Sequence, residues 1–380
     1  MMTALRRSAL LAALAVAAMP AAAEEIRYAT GFPPNSTGDK AAQTFAEALA
    51  RESGGALTAK VYAASLLSFS ELSGGLREGI VETGALIGPY FPTDYPSSNV
   101  LGELVMLWAD APLGSRPALA WTGAMTEFIA LECDACQAEF LAQNQVFTVN
   151  SSTGYSLICS RPVETVSDLA GLKIRAAAPA WSRWAASVGA IGVTVPTSEQ
   201  FVAMSQGVLD CTISNPVELV DLGLAEVAKA VVSDYPGGGF GTASIHNVGA
   251  DFWAGLDAAG RTALLKASAA GAAALTWRYE EKGAAAVEAA AGMGVEAGPP
   301  SQEMAAQAAA FAHADADAAV AAYAERFGIS GAEQSAARMQ ALFARWLTLV
   351  EPVDSEAAFA ALLWDEALSR IDVAAYGARP

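Results

Sequence analysis

Hydrophobic and polar positions first alternate over "IRYATGFPP", residues 26–34, a two-residue period that predicts a β-strand stopped by Gly31 and two prolines. The period then lengthens. "STGDKAAQTFAEALARESGG" has apolar residues at helical spacing, with Ser36 or Thr37 as cap and Gly54-Gly55 as stop. "LTAKVYAA" alternates again, "SFSELSGGLREGIVETG" returns to the helical period, and "ALIGPY" is a continuous apolar strand. The order βαβαβ predicts a parallel sheet with helices on its faces. Ligands of such sheets bind beyond the carboxyl ends of the strands, and Phe32 and Tyr90 lie just past two of them.

A second set of strands and helices starts near Val146. "VFTVNSS", "YSLICS", "GLKIRA", "GVTVP" and "LDCTIS" read as strands, with helices over 180–189 and from Ser198. "PGGGFGTASIHNVGADFW" reads as a flexible return between the two sets. From Asp257 the pattern is almost wholly helical and rich in alanine, a good helix former that permits close packing. No heptad with large a and d residues is sustained, so these helices are expected to pack as struts and not as a coiled coil. "FARWLTLVEPVDSEAAFAALLWDEALSRI" predicts a closing helix pair.

Composition narrows the class. The 380 residues suit about two lobes, and 53% hydrophobic against 16% charged residues is a globular balance. The net charge of −18 argues against nucleic acid or an anionic membrane as partner. At the N-terminus, Arg6 and Arg7 precede the apolar run Ser8–Met19 and the small residues Pro20–Ala23, the plan of a secretory signal cleaved near Ala23. That run has 12 residues, short of the roughly 20 that span a bilayer. Cleavage removes two arginines and no acid, leaving 20 basic against 40 acidic residues, a net charge of −20. The four cysteines fit an oxidising compartment. They allow three pairings; Cys159–Cys211 between neighbouring strands, with a local Cys133–Cys136, is the expected one. Cys133-x-x-Cys136 has no second such pair, and His246 and His313 are not at ligand spacing, so no metal or cofactor is expected.

The chemistry concentrates in "DLAGLKIRAAAPAWSRWAASVGA". Arg175 ends an apolar strand and precedes a helix that starts near Pro179, so its guanidinium points toward the crevice, a rigid fork matched to a carboxylate or sulfonate. The ordinary alternative is a surface salt bridge. Arg183, one helical turn in, reads as a solvated residue. Asn215 ends "DCTISN" before Pro216 and serves either as a helix cap or as a crevice residue. Phe32, Tyr90, Tyr155, Trp181 and Phe240 fall near the mouth and are either core or a cage that excludes water from a small ligand. Enzyme motifs fail: "GYSLI" lacks the last glycine of a nucleophile elbow, and "PGGGFGT" lacks a dinucleotide context.

With "DLAGLKIR", "LDCTISNP", the opening strand, "GIVETGA" and "NVGADFWAGL", the chain resembles the periplasmic solute receptors of tripartite ATP-independent periplasmic (TRAP) transporters over most of its length. The resemblance implies a two-lobed α/β periplasmic binding protein, type II-like, with hinge strands, a long helix across both lobes and extra C-terminal helices. It implies that Arg175 pairs with a ligand carboxylate and that Asn215 faces the ligand. Where some sialic-acid receptors carry a second basic residue, this chain has Tyr155, which points to a smaller or more apolar acid. The expected division is a signal over 1–23, lobe I over 24–151 and 241–285, lobe II over 152–240 and 286–350, and a helical extension over 351–380. The expected function is capture of a small organic acid in the periplasm by a monomer that delivers it to integral-membrane TRAP permease subunits, without chemistry. The alternative is a secreted α/β enzyme using the same crevice.

Overall fold

The computed structural model describes residues 23–112 and 115–378, so the leader, all but Ala23, lies outside the described residues. The chain runs β1 (Glu24–Thr30), α1 (Thr37–Glu52), β2 (Leu57–Ala63), α2 (Leu72–Arg77) and β3 (Thr83–Ile87). Then come α3 (Pro96–Gly102), α4 (Pro117–Leu131), α5 (Asp134–Ala142) and β4 (Gln145–Val146). The second set is β5 (Ser156–Cys159), β6 (Lys173–Arg175), α6 (Pro179–Ser187), β7 (Ile191–Val193), α7 (Gln200–Ser205), β8 (Cys211–Ser214), α8 (Glu218–Asp221) and β9 (Ala230–Val232). It closes with β10 (Ala243–Gly249), α9 (Ala250–Gly255), α10 (Ala258–Ala289), β11 (Glu296–Gly298), α11 (Gln302–Phe327), α12 (Ala332–Leu349) and α13 (Glu356–Glu366).

Two sheets result. The first has the order β2-β1-β3-β10-β4 and the second β11-β9-β5-β8-β6-β7. β1 pairs parallel with both β2 and β3, the arrangement that the alternating periods predict. β10 is the surprise. The stretch read as a flexible return is an antiparallel strand between β3 and β4, with every residue buried. Burial on both faces removes the alternation by which a strand is recognised, and Ser244, His246 and Asn247 are polar residues turned inward. The predicted strand from Val146 shrinks to Gln145–Val146 and belongs to the first sheet.

The two sheets are joined by chain crossing between them twice, at 147–155 and 233–242. These crossings pair with each other: Tyr155 N–H donates to Gly238 O at 3.1 Å and Phe240 N–H to Thr153 O at 2.9 Å. Gly239 is required there, because a Cβ would sit 2.3 Å from Thr153 O. The third connection is α10, capped by Asp257, whose carboxylate accepts from Gly260 N–H at 2.7 Å. It packs along α1 from Lys266, which pairs with Glu52, to Lys282, which reaches Thr37, and Gly271 leaves room for the His246 ring. Its far end, Ala286 and Ala290, enters a separate small core with Ile158, Met204, Leu209, Leu219 and Val231 under the second sheet.

The C-terminal helices are docked from below. α4 is apolar on all sides and buried almost throughout, which demands a cover. α12 supplies it, although the sequence reading placed residues 332–349 with the second lobe. Trp346 lies on Gly123, and the buried Glu127 accepts from Trp346 Nε1, Arg345 and Arg370. Both expected disulfides are formed. Cys159 and Cys211 are directly opposed on β5 and β8, and Cys133 bonds Cys136 at the start of α5. None of the described helices is long and apolar enough to cross a membrane.

Candidate functional site

The facing edges of the two sheets close over a small cavity of about 50 Å³. The first lobe contributes Phe32 after β1, Phe69 before α2, Ile87 and Ile245; the second contributes Tyr155, Thr197, Ser214, Asn215 and Glu218. The hinge segments add Ser151, Ser152, Thr153 and Phe240, and α10 adds Leu275 and Tyr279. Polar contacts seal the rim across the lobes. Thr37 N–H donates to Asp221 Oδ2 at 2.6 Å and Thr197 N–H to Tyr90 Oη at 3.1 Å.

Arg175 stands behind this wall and is wholly buried. Its Nε donates to Val195 O at 2.9 Å, Nη1 to Ile213 O at 3.1 Å and Nη2 to Thr197 Oγ1 at 3.1 Å. Three of its five N–H groups are thus held by carbonyls and a hydroxyl. Among the described residues no carboxylate lies within ion-pairing distance of it. Its neighbours Thr197, Tyr155 and Ser214 face the cavity, so its charge is projected into that space through them.

The other predicted residues divide. Phe32, Tyr155, Asn215 and Phe240 line the cavity. Tyr90 closes the rim through Thr197 and is absent from the wall. Trp181 backs Tyr155 at 5.1 Å between ring centres and donates from Nε1 to Gly237 O at 3.3 Å; it is buried away from the cavity. Asn215 is not a helix cap, since Val217 holds that position for α8; it fixes the turn before the helix, where Oδ1 accepts from Val217 N–H, and Nδ2 donates to Gly154 O, both at 2.8 Å. One amide N–H remains for a ligand.

Arg183 departs from its reading as a solvated residue. It forms a two-pronged pair with Asp315 on α11, at 2.7–3.0 Å, and Nη2 reaches the buried Glu103 at 2.6 Å. It is a clasp between α6, α11 and the turn after α3, assembled from residues 80 and 132 positions away.

Sequence reasoning missed Glu218, Phe69, Thr197, Tyr279 and the hinge hydroxyls. The run "NSSTGY" is a signal, since three small hydroxyl residues in a row on a crossing segment offer hydrogen bonds to a ligand. Glu218 hides in the first turn of a helix, where acids are common for reasons of the helix dipole. Burial pushes its carboxyl up to about 8, Asp221 adds to the rise and Arg175 opposes it. Burial likewise raises the Tyr155 and Tyr279 hydroxyls. At neutral pH the site therefore holds a positive Arg175 and a largely protonated Glu218. No group of three or more His, Cys, Asp and Glu among the described residues could hold a metal ion.

Two α/β lobes closed over a buried cavity, joined by paired crossings and one long helix, define a ligand-binding receptor. The chain belongs to the bacterial extracellular solute-binding protein family 7, which it matches over residues 28–319. Solved structures show the same fold. The extracytoplasmic solute receptor DctP7 of Bordetella pertussis, which binds pyroglutamic acid, is 20% identical with a TM-score of 0.66, over 85% of this chain and 100% of its own. A TRAP periplasmic solute-binding protein of Bordetella bronchiseptica with bound mandelate is 18% identical, with a TM-score of 0.70, over 84% and 99%. A marine metagenome TRAP solute-binding protein in complex with 3-hydroxybenzoate is 17% identical, with a TM-score of 0.71, over 86% and 99%. No curated protein sequence matches the chain.

Proposed function

We propose that this protein is the periplasmic receptor of a TRAP-type transporter and that it binds a small organic acid between its lobes. The observation that carries the reading is Arg175: a wholly buried guanidinium without a carboxylate partner, behind a closed interlobe cavity. A buried charge is costly unless paired. The carbonyls around Arg175 offset part of that cost, and a ligand anion completes the pairing. The relatives bound to pyroglutamate, mandelate and 3-hydroxybenzoate are receptors of small acids, which supports the same class here. At about 50 Å³, several times the ~10–15 Å³ that one water needs, the cavity has room for more than a solvent molecule.

The leader directs export and is removed near Ala23. The receptor acts without chemistry: His246 is packed against Phe45 and Tyr28 and does not line the cavity. Ligand exchange opens the lobes at the paired crossings 147–155 and 233–242. The moving bodies are residues 24–151 with 241–285, and 152–240 with 286–331; α12 and the extension 351–380 travel with the first body, because α12 packs on α4 and α13 on α10. The membrane partner is an integral-membrane permease. Identification of the small molecule released from denatured purified protein by mass spectrometry tests the ligand class, and small-angle scattering with that compound tests closure. The radius of gyration is expected to fall on saturation. A released ligand without an acidic group overturns the reading.

A further inference from the structure

The cavity has a side pocket beside the arginine. Arg175 lies behind Thr197 and Ser214. A side pocket of about 10 Å³ shares Phe32, Phe69, Thr197, Glu218 and Tyr279 with the main cavity and adds Asp221, so Thr197 stands between the pocket and the guanidinium. That volume is about one water-sized group. Three aromatic rings bound it: Phe32 lies 4.9 Å from Phe69, edge-on, and 6.4 Å from Tyr279.

Glu218 is the informative group. It is 5% exposed, and its Oε1 accepts from Tyr279 Oη at 3.4 Å. Glu218 lines both the main cavity and the side pocket, and its carboxyl has no second hydrogen bond among the described residues. Around it stand Asp221 on its own helix, Arg175 on β6, Tyr279 on α10 and Tyr155. Lys282, also on α10, is turned to Thr37 Oγ1 at 3.3 Å, and Asp221 accepts from Thr37 N–H. Two carboxyl groups and three aromatic rings thus border a space for one small group, an environment that favours a cation. The outer charge agrees. A chain of net charge −18 repels an anion at long range and leaves a net-neutral zwitterion unaffected.

We propose that the ligand is a small zwitterion, its carboxylate directed to Arg175 and a protonated amine seated in the pocket of Phe32, Phe69, Tyr279 and Glu218. This rests on the organic-acid reading above and narrows it. Binding then ionises Glu218, so about one proton leaves the protein for each ligand bound near neutral pH.

The test uses matched sets of probes on the full mature chain by calorimetry: proline, cyclopentanecarboxylate and pyrrolidine; 4-aminobutyrate, pentanoate and butylamine. In at least one set the zwitterion is expected to bind roughly tenfold or more tighter than its carbon isostere, the scale of one desolvated charge contact. Its apparent enthalpy should vary with the ionisation enthalpy of the buffer, as release of a proton requires. Glu218→Gln should erase both the preference and the proton release, and keep the melting temperature, because the amide mimics a protonated carboxyl. Absence of a preference for the zwitterion in every set, whether the plain acids bind or nothing does, overturns the proposal. Plain acids binding without preference leaves the organic-acid reading standing. Amines binding as well as zwitterions overturns that reading instead.

Discussion

Arg175 and Arg183 are eight positions apart in one strand–helix unit, and the protein buries them by opposite means. Arg175 is held by two carbonyls and a hydroxyl, with no carboxylate on it. Arg183 is a third exposed and holds two carboxylates from distant parts of the chain. The first arrangement leaves a positive charge unspent beside a cavity; the second cancels it. Sequence proximity thus says little about role. What separates the two is which side of the α6 unit they leave from: the strand end faces the cavity, and the helix face meets α11 and the turn after α3. A charge meant for a ligand is recognisable by what the protein withholds from it.

The comparison breaks first at Arg175→Ala. An arginine kept for a ligand alone could be removed without touching the fold; Arg175 could not, because Val195 O, Ile213 O and Thr197 Oγ1 would lose their donor in a dry interior. Each unsatisfied buried group costs about 1–3 kcal/mol, so a loss of roughly 3–5 kcal/mol in urea unfolding is expected. Ligand affinity should fall ~100-fold or more. Arg175→Lys retains the charge and cannot span three acceptors, so it should bind poorly and unfold at an intermediate midpoint. An Arg175→Ala protein with the wild-type urea midpoint would show that these bonds do not hold the second sheet together.

How much of this was legible beforehand follows the same division. The two α/β sets, the position of Arg175 at a strand end and the pairing of Cys159 with Cys211 all rest on local period or on neighbouring strands, which sequence displays. β10 did not, since burial on both faces and an inward Ser244, His246 and Asn247 erase its alternation. Glu218 did not either, because a first-turn acid has a sufficient local explanation. Nor did the Arg183 clasp, whose partners Glu103 and Asp315 lie on other elements. Contacts made by the folding of distant segments onto one another leave no periodic mark.

His246 sharpens the comparison with a third way of keeping positive charge out of the interior: it is buried without its proton. Its ring stacks on Phe45 at 4.5 Å, and burial depresses its pKa to about 3. The folded value lies below the unfolded value of about 6.5, so the unfolded chain binds the proton first as pH falls. The stability is fully present above 6.5 and is lost toward 3, at about 1.4 kcal/mol per pH unit. Glu218 tilts the other way: raised to about 8, it favours the folded state below 4.5 and loses that contribution as pH rises to 8. The two slopes oppose each other between 4.5 and 6.5, so the wild-type curve hides both. The difference between wild type and His246→Leu isolates the histidine, and should change by roughly 2–3 kcal/mol from pH 6.5 to 4.5 in urea titrations. A difference independent of pH would mean that His246 titrates normally.

The smallest expected effect is the most specific. Arg183 touches no part of the cavity, yet it ties α6 of the second lobe to Glu103, which follows α3 of the first. Burial holds the Glu103 carboxyl above the usual range even with Arg183 upon it. Removing the arginine leaves Glu103 buried and unpaired in the closed form and hydrated in the open one, so the loss falls on closure. Arg183 is partly solvated, so the cost sits at the low end for such pairs, about 1 kcal/mol. Ligand affinity then falls roughly fivefold. The change should lie in the dissociation rate, because encounter with the open crevice does not involve Arg183. Stopped-flow binding to Arg183→Ala is expected to show faster release with an unchanged association rate. Glu103→Gln in the same chain removes the stranded carboxylate and should restore much of the lost affinity. A slower association rate, or no recovery in the double variant, would place Arg183 in local helix stability and not in the clasp.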